Sequence, residues 1–290
     1  YLLSIKTKKF ISQIFTSYNN LTGQTNLETA KGVPRGVGIS AYLSELFMRS
    51  IDNKIRELND LVYYARYVDD IIAIFVPKSK NIDSTQLIDY KAKLTDLITS
   101  EGLVLNVKKT NGYNLSGGIF DLRFDDNQPN YVPNSIQYLG YEIGAIIRYR
   151  ANGKIDNQDL SVRLSKNKID KYFNKIKMSF QHFEKKKVHN RKDAFKLLSA
   201  RINYLTSNTK LRNNKDKVFV GIYYSNPFLN SDVSLEKLQT RLKWSIDRAG
   251  FTNNEKQIML KYSFIDGFKK KTFQILPLKN KKYKSHNKKR

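Results

Sequence analysis

The chain has 290 residues, no cysteine, 40% hydrophobic residues and a formal net charge of +26. This length suits roughly two domains. The lack of cysteine excludes disulfides and thiolate metal sites and suits a reducing cytoplasm. The sequence contains no run of about 18 apolar residues, so no membrane span is predicted. Residues 151–290 carry +23 and residues 1–150 only +3, which favours a nucleic-acid-binding half, with solubility or attraction to an anionic membrane as alternatives.

The first half begins with helical patterns. Residues 1–18 have apolar residues at mixed spacings of three and four, and residues 39–58 repeat them at i, i+4, i+8 and i+12. Ser40 is the predicted N-cap of the second helix. Residues 84–100 also fit a helix with one apolar face.

Strand patterns lie between and after these helices. Residues 61–67 and 71–76 are rich in Tyr, Val and Ile and flank a pair of aspartates. Further strand-like runs occupy residues 103–107 and 136–144. The first half is therefore predicted to be α+β.

The second half is predicted to be mainly helical. Residues 164–184 and 191–206 carry apolar stripes that favour a packed core, and residues 234–249 fit a third helix that ends at Gly250. Residues 269–290 contain many lysines and few apolar residues, and they predict a partly disordered basic tail.

Asp69 and Asp70 stand together inside the apolar sequence YARYVDDIIAIF. Burial of an unpaired carboxylate costs several kcal/mol, so the pair requires either solvent or a positive partner. Mg²⁺ prefers carboxylate oxygens, and two-metal phosphoryl transfer uses such sites. A solvated hairpin turn is the alternative, because Asp is common in turns.

The YVDD sequence resembles the aspartate signature of reverse transcriptases, and other blocks follow the order of that family. They are GVPRGVGISAYLSELFMRSID at residues 32–52, EGLVLNVKKT at 101–110 and YLGYEIG at 138–144. Each block alone is a weak match, whereas four in order over residues 32–144 are specific. The resemblance covers essentially all of the first half.

The resemblance implies catalytic and metal-binding roles for Asp69 and Asp70, with Mg²⁺ or alternatively Mn²⁺ as the ion. It places a lysine beside the pyrophosphate leaving group, where a positive charge stabilises the transition state. The family has this lysine immediately before the threonine that is Thr110 here, which selects Lys109. Lys108 is the alternative, and a solvated lysine is the other interpretation of either residue.

The Gly-x-Pro block implies a nucleotide-binding loop formed by Gly32, Pro34, Arg35 and Gly36. Glycine adds no side-chain bulk, so the backbone can approach a base pair closely; an ordinary turn before a helix is the alternative. Arg35 stands where many members of the family have glutamine. An arginine there resembles the abortive-infection and defence-associated reverse transcriptases of prokaryotes.

Primer and template contacts are implied next to the motifs and in the basic half. The residues are Tyr67, Val68, Tyr138, Leu139, Gly140, Lys171, Lys175 and Arg201, with Arg191, Lys196, Lys210 and Arg212 as further candidates. The hairpin residues are otherwise ordinary strand residues, and each basic residue is otherwise a solvated surface charge.

One expected part of the site is absent. The family carries another metal-binding aspartate well before the Gly-x-Pro block, but residues 1–31 contain no aspartate and a single acid, Glu28. The chain also begins with Tyr1 rather than methionine. We therefore expect the later part of a longer polypeptide, without fingers and unable to polymerise alone. An inactive, degenerate homologue is the alternative.

The expected fold is α+β, with a right-hand palm of antiparallel sheet and packed helices in residues 1–150. A helical thumb and extension would follow in 151–268, and a basic tail in 269–290. The expected activity is RNA-directed DNA polymerisation in prokaryotic antiviral defence, with an RNA template, a DNA product and nucleoside triphosphates, and with a homo-oligomer or a partner protein. A group II intron or retron reverse transcriptase and a non-catalytic nucleic-acid-binding scaffold are the alternatives.

Overall fold

Contacts along the chain divide it into an N-terminal unit, Tyr1–Asn114, and a C-terminal unit, Leu115–Arg290. The structure, a computed structural model, describes residues 3–23, 32–34, 36–78, 84–106, 109–113, 135–211 and 218–274. Helices and small, mostly antiparallel sheets occur in both units, which confirms the predicted α+β class.

The N-terminal unit packs helices against one β-hairpin. Its elements are α1 (Ile5–Thr22), α2 (Gly38–Arg56), β1 (Leu61–Tyr67), β2 (Asp70–Phe75) and α3 (Ser84–Ser100). Its buried core consists of Met48, Ile51 and Ile55 of α2 and Ile98 of α3. These residues recur at helical spacing, so the predicted helices 39–58 and 84–100 are confirmed with ends within about two residues.

The start of α2 differs from the prediction. Val37 is the N-cap residue and makes no side-chain cap bond, whereas Ser40 lies inside the first turn and donates its backbone N–H to Val37. The Ser40 hydroxyl is buried and has no hydrogen-bond partner among the described residues. The prediction of Ser40 as N-cap is therefore wrong, because the helix begins two residues before it.

The predicted strand at residues 103–107 is not formed over its described part, 103–106. The alternation that suggested it is real: Leu103 and Leu105 pack against the core of the unit, while Val104 is 90% exposed. Period-two alternation indicates which side chains are buried, but a strand also needs a partner for its backbone hydrogen bonds. Residue 107 lies outside the described residues.

The first described elements of the C-terminal unit form a three-stranded antiparallel sheet. Its strands are β3 (Ile136–Tyr138), β4 (Tyr141–Tyr149) and β5 (Ile155–Leu164), in that order. The hairpin of β3 and β4 was predicted. β5 was not, because IDNQDLSVRL is mostly polar and occupies a sheet edge, where pairing with β4 rather than composition specifies the strand.

A 41-residue helix, α4 (Lys166–Thr206), follows the sheet. It combines the two predicted helices 164–184 and 191–206, and Asn190 between them has non-helical φ and ψ of −152° and 95°. The Asn190 side chain accepts a 3.0 Å hydrogen bond from the Asp193 backbone, so it acts as an N-cap for the second segment. The predicted break is thus present within a nearly continuous helix.

The remaining elements close around α4. They are β6 (Asn208–Lys210), β7 (Phe219–Gly221), α5 (Val233–Arg248), α6 (Asn253–Leu260), α7 (Phe264–Lys269) and β8 (Phe273–Gln274). The apolar stripes of α4 and α5 are buried together with Met259 and Phe264, as predicted for core residues.

The Asn208 side chain joins three segments at the base of this core. Its amide nitrogen donates to the carbonyls of Gly267 and Thr272, and its amide oxygen accepts from the backbone N–H of Tyr223 and Tyr224. Asn208 is fully buried, so these bonds satisfy a side-chain amide that water cannot reach.

The start of the predicted basic tail is ordered into the end of α7 and the short strand β8, which pairs in parallel with β6. Residues 275–290 lie outside the described residues. Within the described part of the chain, no helix is both long and apolar enough to cross a membrane.

Candidate active site

The two aspartates lie where the β1–β2 hairpin turns. Tyr67 and Asp70 form the last antiparallel pair, so the loop consists of Val68 and Asp69 alone. Both aspartates are exposed, as are Tyr67 at 63% and Val68 at 56%. The hairpin therefore exposes two consecutive acidic residues at the end of a strand pair.

Val68 adopts a φ of +58°, in the left-handed region. Two-residue hairpin loops require such a φ and usually place glycine, Asn or Asp there. For an L-residue the left-handed conformation costs roughly 1–2 kcal/mol, and a β-branched side chain is an unusual occupant. The turn next to Asp69 is consequently strained and needs support from its surroundings.

Arg66 supplies that support. Its side chain is only 7% exposed and lies against two acids of α2. Nε and Nη2 donate to the two carboxylate oxygens of Asp52, both at 2.8 Å, and Nη1 and Nη2 donate to Glu45 at 3.0 and 2.8 Å. Nη1 also donates to the Val68 carbonyl at 2.8 Å.

These contacts shift the pKa values of the acids. The hydrogen bond from Arg66 is the main cause of the lowered pKa of Asp52 and of Glu45, and it outweighs burial, which alone would raise them. Burial and a 2.7 Å hydrogen bond donated to Asp52 raise the pKa of Tyr64. At neutral pH the site is thus a charged guanidinium with two ionised carboxylates and a neutral tyrosine.

The predicted nucleotide-binding loop precedes α2. Gly32 and Gly36 have φ values of +91° and +80°, and a Cβ at either position would have no atom of the described residues within 4 Å. Pro34 between them is buried. Both glycines are therefore required by backbone conformation. Arg35 lies outside the described residues.

Lys109 lies in a turn after α3, where its backbone N–H and that of Thr110 donate to the Asn106 carbonyl at 2.9 and 3.0 Å. Its side chain is exposed. Lys109 belongs to the same unit as the aspartate turn. Lys108 lies outside the described residues.

The predicted primer hairpin belongs to the C-terminal unit. Leu139 and Gly140, both with positive φ, form its two-residue turn between the paired Tyr138 and Tyr141. The turn is fixed to the start of α4, because the Ser165 N–H donates to the Gly140 carbonyl at 3.0 Å. It therefore forms a rigid tip with Leu139 38% exposed.

Lys168 lies beside this tip and was missed in the sequence. Its ammonium group is 4.9 Å from the centre of the Tyr141 ring and donates to the Ser225 carbonyl at 3.2 Å. Burial, with the nearby Lys171, lowers the pKa of Lys168. Lys168 lies in the first turn of α4, and no sequence pattern distinguished it from the other lysines there.

The basic residues proposed to contact nucleic acid differ in exposure. Lys171, Lys175, Lys196 and Lys210 are exposed, and Arg201 is partly exposed. Arg191 instead forms hydrogen bonds to Glu255 at 2.6 and 3.1 Å and to the Gly250 carbonyl at 3.0 Å, so its guanidinium is committed to the fold. Arg212 lies outside the described residues.

The aspartate turn meets part of the requirement for a hard divalent cation. Asp69 and Asp70 offer carboxylate oxygens, the donors that Mg²⁺ prefers, on an open surface where water and phosphate oxygens can complete the coordination. Among the described residues, no three histidine or acidic side chains are grouped closely enough to hold a metal ion. The two aspartates therefore fit a site completed by other ligands.

The first half of the chain matches a known protein family. Residues 2–143 match the family model described as "Reverse transcriptase (RNA-dependent DNA polymerase)". That region, which includes the aspartate turn, the glycine loop and Lys109, belongs to the reverse transcriptase family and is a reverse-transcriptase-type nucleotidyltransferase region. No curated protein and no solved structure gives a significant match to the chain.

The family prediction is thereby confirmed, whereas the network around Arg66 was not anticipated. A signal for it was present: Asp52 interrupts the apolar face between Ile51 and Ile55, and Arg66 stands inside a predicted strand. Opposite charges at core-facing positions of neighbouring elements indicate a buried pair.

Proposed function

We propose that the protein is the palm and thumb of a prokaryotic reverse transcriptase that catalyses RNA-directed DNA synthesis by two-metal nucleotidyl transfer. The observation that carries the proposal is the pair of exposed carboxylates, Asp69 and Asp70, on a two-residue turn within a region that matches the family. Nucleotide addition joins the primer 3′ oxygen to the α-phosphorus of the incoming nucleotide and releases pyrophosphate.

The residues of the N-terminal unit take the following roles in the proposal. Asp69 and Asp70 would hold Mg²⁺ or Mn²⁺, which supplies positive charge for the phosphate oxygens. Lys109 would stabilise the negative charge on the leaving pyrophosphate. The loop from Gly32 to Gly36 would lie along the incoming nucleotide, and Tyr67 and Val68 would contact the primer end.

The C-terminal unit would bind the template and the product. Its lysines and arginines can pair with phosphates, and the hairpin tip at Leu139 and Gly140 would contact the primer strand. On α5, Trp244 is 47% exposed and lies 4.5 and 3.9 Å from the guanidinium carbons of Arg241 and Arg248. Basic and aromatic groups in alternation are typical of surfaces that bind single strands.

The biological setting in the proposal is antiviral defence, with assembly into a homo-oligomer or with a partner protein. This setting is proposed because Arg35 and the sequence of the block around it resemble defence-associated reverse transcriptases rather than those of group II introns.

The test is the Asp69→Asn variant of the full-length protein. Incorporation of deoxynucleotides on an RNA template with a DNA primer, in Mg²⁺ or Mn²⁺, should fall at least ~100-fold because a metal-binding carboxylate is lost. Asp89→Asn is the matched control, since Asp89 is an exposed acid of α3 in the same unit.

Incorporation by Asp69→Asn at the rate of the unchanged protein would contradict the proposed enzymatic function. RNA binding that persists in that case would favour the non-catalytic scaffold. Loss of incorporation in both variants would indicate a general effect of acidic residues, not a catalytic role for Asp69.

A further inference from the structure

Arg66 uses every hydrogen-bond donor that it has. A guanidinium carries five N–H groups in a planar fork, and five acceptors meet them: two oxygens of Asp52, two of Glu45 and the carbonyl of Val68. Four of these bonds anchor the guanidinium to α2. The fifth reaches the peptide that leads directly into Asp69.

The charge of Arg66 is more than balanced by the two acids that anchor it. Glu45 and Asp52 together carry two negative charges, and both have a lowered pKa because they accept hydrogen bonds from Arg66. A free arginine this close to Asp69 and Asp70 would compete with a cation for their oxygens. The hydrogen bond that Arg66 donates to the turn goes to the neutral carbonyl of Val68.

The hydrogen bond from Arg66 to the Val68 carbonyl lies at the strained residue of the turn. Val68 has the positive φ of +58° that the two-residue loop requires, and valine does not favour that conformation. A hydrogen bond from a buried, fully anchored group to the Val68 carbonyl fixes the orientation of the peptide between Val68 and Asp69. The direction of the Asp69 side chain depends on that orientation.

We propose that Arg66 is a positioning residue of the nucleotidyl-transfer site: anchored by Glu45 and Asp52, it holds the Val68 peptide in its strained conformation and so aims Asp69 and Asp70 at the bound cation without neutralising them. This inference rests on the proposed function for the identity of the cation and the reaction. The anchoring itself stands on the geometry alone.

In a purely structural role, Arg66 would only hold β1 and α2 together. That role needs only the four bonds to Glu45 and Asp52. The positioning role needs the Nη1 contact to Val68 in addition, so the two roles predict different behaviour when the fold is kept and only the fork geometry changes.

The Arg66→Lys variant makes that change. Lysine keeps the positive charge between the carboxylates but has three donors on one atom and cannot reproduce the planar fork. We expect the turnover number to fall about 10- to 100-fold with little change in KM for the nucleotide. We also expect about tenfold weaker binding of Mn²⁺ alone, followed by its electron paramagnetic resonance signal.

Arg56→Lys is the matched control. Arg56 is on α2, near the same network, and its guanidinium carbon lies 5.4 Å from the centre of the Tyr64 ring rather than at the turn. Turnover and Mn²⁺ binding by Arg66→Lys within twofold of those by Arg56→Lys would overturn the positioning role.

Val68→Gly tests the strained peptide directly, because glycine adopts a positive φ unaided. The factor by which Arg66→Lys lowers turnover should be at least about threefold smaller in the Val68→Gly background than in the unchanged protein. Equal factors in the two backgrounds would show that Arg66 does not act through Val68.

Two further measurements keep the proposal testable. A crystal structure of Arg66→Lys should show residue 68 without its positive φ and the Asp69 carboxylate displaced; an unchanged turn overturns the proposal even where no polymerase activity exists.

If Arg66→Lys does not fold, Glu45→Gln withdraws one compensating charge and should weaken Mn²⁺ binding about two- to tenfold. Unchanged Mn²⁺ affinity there overturns it.

Loss of Mn²⁺ binding in Arg66→Lys together with absence of incorporation by the unchanged full-length protein would support the positioning role and reject the proposed function. Incorporation that depends on Asp69 but not on Arg66 would support the proposed function and reject the positioning role of Arg66.

Discussion

The two units of the molecule are stabilised by different means. The C-terminal unit buries an extensive apolar core contributed by α4, α5, α6 and α7, whereas the described core of the N-terminal unit is a small cluster from α2 and α3. The N-terminal unit adds the charged network of Arg66. The N-terminal unit, which exposes two carboxylates on a strained turn, supplements a small apolar core with a charged network, whereas the C-terminal unit has the larger apolar core.

The largest expected effect tests the apolar side of this comparison. Phe183 is 1% exposed and its ring lies 5.3 and 6.5 Å from those of Phe251 and Phe195. Phe183→Ala should lower the free energy of unfolding of the C-terminal unit by about 3–5 kcal/mol, because it leaves a cavity. The fluorescence of Trp244, the single tryptophan, reports urea unfolding of that unit.

Met178→Ala is the control for this variant, since Met178 is on the same helix and 67% exposed. An equal loss of stability in both variants would show that the helix itself, rather than the buried ring, is the sensitive feature.

The next effect tests the polar side. Asp52 is 8% exposed, and Asp52→Asn should destabilise the N-terminal unit by about 1–3 kcal/mol at pH 7 by leaving the guanidinium of Arg66 partly unpaired. Because the folded-state pKa of Asp52 is lowered, its contribution is complete above the ordinary aspartate pKa of about 4 and disappears as the pH falls through the folded value.

The difference in stability between the unchanged protein and Asp52→Asn should therefore shrink as the solution is acidified below about pH 4. Hydrogen exchange of amides in α2 and β1 measures it. Asp96→Asn, at an exposed position of α3, serves as the control. A difference that stays constant with pH would refute the ionic origin of the stabilisation.

The smallest effect concerns a local cap in the C-terminal unit. Thr252 and Glu255 form a reciprocal capping box at the start of α6. Thr252→Ala should cost about 1 kcal/mol, measured by the same fluorescence of Trp244. Thr252→Ser keeps the hydroxyl and should remain close to the unchanged protein; equal losses in both would point to the threonine methyl group instead.

Periodicity predicted most of the described helices and the hairpin that bears Asp69 and Asp70, because α2 and the strands β1 and β2 carry strong local patterns. It failed where the structure depends on distant partners. β5 is specified by its pairing with β4. Leu103 and Leu105 pack against the core although their segment forms no strand.

The site shows the same limit. Asp69 and Asp70 were identified from a contiguous motif and its order among other blocks. The anchoring of Arg66 joins residues 14 and 21 positions apart on another element, which no local pattern specifies. Likewise, the strain at Val68 is visible only in its backbone angle.

The four hydrogen bonds of the Asn208 side chain have a consequence for synthesis of the protein. Two of them reach Gly267 and Thr272, 59 and 64 residues later in the chain. A ribosome adding roughly 5–20 residues per second needs several seconds to make that segment. During this interval the amide nitrogen of Asn208 lacks its two carbonyl acceptors, so this part of the C-terminal unit is completed late in translation, after the hairpin that bears the aspartates has been made.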